Sequence, residues 1–112
     1  MADIKIQKAP GTWVVRVGGA VVGESANALV LSEGTLPDAI YFPRADIGME
    51  LLEASATKTT CPHKGEASYF TFSSPEATMT DLAWSYETPI DQVKEISGYL
   101  SFYGNKATVE QL

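Results

Sequence analysis

The chain is poor in the residues that most often carry chemistry: its 112 residues include one cysteine, Cys61, and one histidine, His63. A single thiol forms no internal disulfide, which fits a reducing compartment. A tetrahedral structural zinc site takes four ligands, and Cys61 and His63 supply only half of them, so no metal site is expected. Basic residues are scarce as well. Eight Lys and Arg against fourteen Asp and Glu give a formal net charge of −6, a balance that argues against nucleic acid and anionic membrane surfaces as partners. No apolar run approaches the roughly 20 residues of a spanning helix. The start, Met1 to Lys5, has no basic segment leading into an apolar core, and a cytoplasmic location is expected. Long amphipathic helical patterns are also missing, and no motif calls for a cofactor.

What is present is strand grammar. With 45% hydrophobic content, the chain is long enough for one globular domain over residues 1–112 and too short for two. Short β-branched or alternating runs separated by Gly, Pro, Asn and Asp predict a mostly β fold of curved antiparallel sheet with one or two short helical turns. Trp13 to Val17, Gly18-Gly19 and Ala20 to Gly23 read as strand, tight turn and strand. Further strands are expected at Ala28 to Ser32, Ala39 to Phe42, Ala56 to Thr60, Glu66 to Ser73, Met79 to Glu87, Tyr99 to Tyr103 and, at an edge, Ala107 to Glu110. Pro43 should end its strand. Helical turns are expected at Asp46 to Leu52, where Gly48 limits the length, and at Pro89 to Val93. Strand alternation places Leu82, Trp84 and Tyr86 on one face, and Phe70 and Phe72 opposite Tyr69 and Thr71.

The densest chemistry lies in one turn, Cys61-Pro62-His63-Lys64-Gly65, where Pro62 pre-sets φ and Gly65 can take the positive φ that rejoins the strand. Cys61 is the candidate catalytic nucleophile: Lys64, Arg44 or Arg16 would activate its thiolate if they converged on it. The competing reading is a thiol packed as a small hydrophobe. His63 is a base if it points inward and a solvated turn residue otherwise.

These motifs resemble the bacterial domain-of-unknown-function 427 (DUF427) family, which is sometimes given a nucleotidyltransferase-type label. The matching residues are Arg16-Val17 with Gly19, Glu24-Ser25, Tyr41-Phe42-Pro43-Arg44 with Asp46, and Thr60 to Gly65 with Ala67-Ser68-Tyr69. Ala83-Trp84-Ser85-Tyr86 with Pro89 and Gly98-Tyr99 through Phe102-Tyr103 complete the set. The blocks from Cys61 to Tyr69 and from Trp84 to Tyr86 are the specific ones. His63 departs from the tyrosine that often follows the Cys-Pro pair in this family. The resemblance implies a compact, Mss4-like β fold and no established reaction. Metal-assisted nucleotidyl transfer needs closely placed carboxylates and a backbone cradle for phosphates. The sequence offers neither an Asp-x-Asp pair nor a glycine-rich loop opening a helix; Asp38 with Asp46, or Asp81 with Glu87, would have to converge in space.

The candidate ligand site therefore combines cations and aromatics. Arg44 and Lys64 are expected to anchor a small anionic or nucleotide-like metabolite, with Arg16 either on an outer face or reaching the same pocket. Tyr41, Tyr69, Trp84, Tyr86 and Tyr103 are expected to form its walls, and Cys61 to lie beside it. The alternative is a non-catalytic interaction or self-association module that works through an exposed sheet face or edge, which leaves a homo-oligomer open. Convergence of Cys61, Lys64, Arg44 and Trp84 on one pocket favours the first reading, and their dispersal around a flat apolar patch favours the second.

Overall fold

Gly18 and Gly19 take φ values of +53° and +88°, the pair of positive angles that a two-residue hairpin turn requires and that other residues resist. The computed structural model describes residues 3–112, so Met1 and Ala2 lie outside them. Among the described residues there are ten strands. They are β1 (Ile4–Lys8), β2 (Trp13–Val17), β3 (Ala20–Ser25), β4 (Leu29–Glu33), β5 (Ala39–Tyr41), β6 (Leu52–Cys61), β7 (Gly65–Ser73), β8 (Thr78–Ser85), β9 (Ser101–Phe102) and β10 (Thr108–Gln111). The fold is mostly β, in three antiparallel sheets ordered β1-β4-β5, β10-β2-β3 and β6-β7-β8-β9. No helix among the described residues is long and apolar enough to cross a membrane.

The first and third sheets meet at one backbone pair. Phe42 donates to the Leu100 carbonyl at 2.8 Å and Leu100 returns the bond at 2.9 Å, which carries the ladder from β5 to β9. The joined sheet has two working faces because strand side chains alternate. One face packs on β2 and β3 and builds a core of Val15, Val17, Val22, Phe42, Phe70, Phe72, Leu82, Leu100 and Phe102. The other face carries Leu31, Tyr41, Ala67, Tyr69 and Tyr86, closed in part by Val93 and Ile96. The consecutive residues Tyr41 and Phe42 thus serve opposite cores, as do Tyr69 and Phe70.

Three differences from the sequence expectations have local causes. Among the described residues, helical structure is confined to 3-10 turns at Arg44–Asp46, Met49–Leu51 and Asp91–Ile96. The turn expected over Asp46 to Leu52 is split because Ile47 pairs with Gly23 and the Gly48 N–H bonds the Val22 carbonyl at 2.8 Å. The alternating segment Ile4–Lys8 forms a strand paired with β4 that the sequence reading did not mark. Finally, Leu82 does not share a face with Trp84. The β7–β8 register shifts between Phe70 and Phe72, and Asp81 sits at φ +52°. This bulge turns Leu82 into the first core while Trp84 stays with the second.

Candidate functional site

The joined sheet curls far enough that Lys64, in the β6–β7 turn, reaches Glu33 at the end of β4, past β5, β9 and β8. The turn is set by local chemistry. Gly65 has a φ of +114°, the Lys64 N–H closes on the Cys61 carbonyl at 3.3 Å, and the Lys64 carbonyl accepts from the Ile90 N–H at 3.0 Å. These bonds aim the Lys64 side chain inward. Its ammonium donates to the Glu33 carboxylate, both side chains being only 11% exposed, and it lies 5.9 Å from the centre of the Tyr86 ring.

Beside this pair the strands converge on a row of aromatic rings. Trp84 stands edge-on to Tyr41 with centroids 6.3 Å apart, and its Nε1–H donates to the Tyr41 hydroxyl at 3.1 Å. On its other side Trp84 meets Tyr103 at 4.6 Å between centroids. The Tyr103 hydroxyl lies 3.4 Å from that of Tyr69, which is in turn 2.9 Å from the Thr59 hydroxyl. An open cleft of about 1200 Å³ runs over this surface, lined by Glu33, Tyr41, Lys64, Tyr69, Trp84, Tyr86, Ser101 and Tyr103, and continues past Leu36, Asp38 and Ile40 to Trp13 and Val109.

The phenols are held in their neutral form. Burial pushes Tyr41 up to about 12, partly offset by the bond from Trp84, and burial also raises Tyr86. Tyr103 rises to about 12 through burial and its bond with Tyr69. At neutral pH these rings are therefore hydrogen-bond donors with apolar faces. Because the Tyr41 oxygen accepts from Trp84, its own hydrogen remains to be donated.

Six of the nine expected ligand-site residues line the cleft, namely Tyr41, Lys64, Tyr69, Trp84, Tyr86 and Tyr103. The other three do not. Arg16 pairs with Glu110 on β10. Arg44 pairs with Glu87 and lies 5.5 Å over the Phe70 ring, on the first-core side of the sheet. Cys61, half-buried and unpaired, packs at the edge of the second core. Arg44 stands apart from the cleft because its pairing with Glu87 holds it on the other side of the sheet, whereas Cys61 packs with the residues that wall the cleft without itself lining it. The carboxylates that metal-assisted nucleotidyl transfer would need together have separate partners: Asp46 accepts from Ser25 at 2.6 Å, Asp81 from Thr57 at 2.7 Å, and Glu87 is held by Arg44.

Sequence reasoning missed Glu33 and weighed Asp38 only as a carboxylate partner for Asp46, not as a cleft residue. Glu33 had a legible signal, since Leu29, Leu31 and Glu33 alternate along one face once the strand is carried to its true end. Asp38 lies just before β5, and nothing in its local sequence placed it at the cleft rim.

The sequence matches the profile of a family described as a domain of unknown function, DUF427, over residues 5–111. The chain belongs to this family. The match takes in β2 to β10 whole and all but the first residue of β1, so the DUF427 region contains every residue of the cleft. No curated protein matches the sequence.

Proposed function

We propose that the chain binds a small molecule in the aromatic cleft, with its ring or rings against Trp84, Tyr41 and Tyr103. The observation that carries this reading is the convergence of Tyr41, Tyr69, Trp84, Tyr86 and Tyr103 with one buried ion pair on an open cleft of about 1200 Å³. Ligand sites combine apolar walls with a few fixed polar groups at volumes of roughly 300–1,000 Å³. The phenol hydroxyls and Ser101 supply orientation; the rings exclude water. An activated thiolate would need a cation or base of its own, and Lys64 is committed to Glu33, so binding rather than nucleophilic chemistry is the activity proposed.

The alternative, an interaction module, draws on β6, a ten-residue strand at the end of its sheet. Its register breaks between Ala54 and Lys58, and it carries Glu53 and Lys58. A bulge and charges of this kind discourage edge pairing, which supports the cleft instead.

Native mass spectrometry of the purified protein, followed by a thermal-shift screen of neutral, cationic and anionic metabolites, tests the reading. A bound or stabilising compound should lose its effect in Trp84→Ala and keep it in Cys61→Ser. Equal shifts in parent and Trp84→Ala would overturn the assignment.

A further inference from the structure

Charge selects among the ligands that an aromatic cleft accepts, and the charges lining this one can be counted. Three ionisable side chains other than the neutral phenols line it: Glu33, Asp38 and Lys64. Glu33 and Lys64 neutralise one another. Asp38, exposed at the rim, enters no salt bridge among the described residues. The two arginines expected as anion anchors are held by Glu110 and Glu87 away from the cleft. Among the lining side chains the charge left over is the one on Asp38, beside aromatic faces whose quadrupole is itself negative toward a ligand; Lys106, over the Tyr103 ring and donating to the Thr80 carbonyl, is not part of the lining.

Resting on the proposal that this cleft is a binding site, we infer that its ligand is a planar aromatic molecule carrying a positively charged amine. The ring stacks against Trp84 and the amine lies toward Asp38. Cation–π attraction to the tyrosine and tryptophan faces adds to the pairing with Asp38. The protein already shows this preference internally: Lys64 lies over Tyr86, and Lys106 lies 5.7 Å over Tyr103. An anionic ligand would meet the unpaired Asp38 carboxylate, while the one cation among the lining residues, Lys64, is already paired with Glu33.

Three probes with the same ring and different arms separate the possibilities: tryptamine, indole-3-acetamide and indole-3-acetate, titrated by calorimetry at pH 7 into the parent, Asp38→Asn and Trp84→Ala. Tryptamine should bind roughly two- to fivefold more tightly than the uncharged amide, as expected for an exposed charge pair, and the acetate should be weakest. Asp38→Asn should bring tryptamine and the amide level, and added salt should shrink the same gap. Acetate binding as tightly as the amide, or an order unchanged in Asp38→Asn, overturns the charge inference while leaving the cleft in place. Absence of binding by all three probes, or binding unaffected by Trp84→Ala, overturns the cleft assignment and the charge inference with it.

Discussion

Lys64 and Glu33, 31 residues apart, form an ion pair with both side chains nearly sealed from solvent. Such a pair offsets its desolvation only while both partners are present, so the cost of breaking it falls on the charge left behind. Lys64→Met alone should lower the unfolding free energy by about 3–5 kcal/mol, and Lys64→Met with Glu33→Leu should recover most of that loss. Urea denaturation of the two variants beside the parent measures it. A double variant no more stable than the single one would show that the pair is not an isolated unit.

The phenols give an alkaline signature. Tyr41 and Tyr103 are raised from 10.0 to about 12, so the folded state holds their protons more tightly than the unfolded chain does. The stability they contribute is complete below pH 10 and is lost as pH climbs toward 12. Phenolate absorbance should therefore lag behind that of the urea-unfolded chain over this window, and Tyr41→Phe should reduce the lag. Superimposable titrations of folded and unfolded protein would refute the burial of these hydroxyls.

Asp81 acts at the other end of the pH scale. Bonds from Ser55 and Thr57 hold its carboxyl below the usual 3.8, so its contribution is present above that value and lost as pH falls through the depressed one. Thr57 reaches it from β6 across β7, which ties together the two register breaks that flank β7. Asp81→Asn, which tolerates the same positive φ, should lower stability near neutral pH, and the difference from the parent should shrink on acidification. Guanidinium melts at pH 7 and at a series of lower pH values below 3.8 provide the comparison.

Gly65 tests the turn that aims Lys64. A Cβ there would come no closer than 3.5 Å to Pro89, an ordinary contact, so space does not forbid a side chain. The φ of +114° does. Gly65→Ala should cost about 1–3 kcal/mol from backbone strain and weaken any cleft ligand through displacement of Lys64. A neutral effect on the melting temperature would show that the turn adapts freely.

Much of this architecture was legible from local pattern. The Gly18-Gly19 hairpin, the edge position of β10 and the opposite facing of Tyr69 and Phe70 all follow from turn chemistry and a period of two. The aromatic wall was legible for the same reason. What failed was information carried by partners distant in sequence. Arg44 looked like an anchor because nothing local claims it, and Glu87, 43 residues on, does. Leu82 was misplaced because one residue at positive φ resets the alternation, and an aspartate in a run of strand formers gives little warning of it.

The joint at Phe42 and Leu100 also bears on the order in which the chain assembles. Hairpins such as β2–β3 and β6–β7 close over a few residues, whereas this pair must form across about half of the sequence, and β10 must return to β2 near the beginning. Topologies dominated by such distant pairings fold on millisecond to second timescales. Two locally formed β units would therefore stand ready before the joint closes, and the aromatic cleft, which spans that seam, would be completed last.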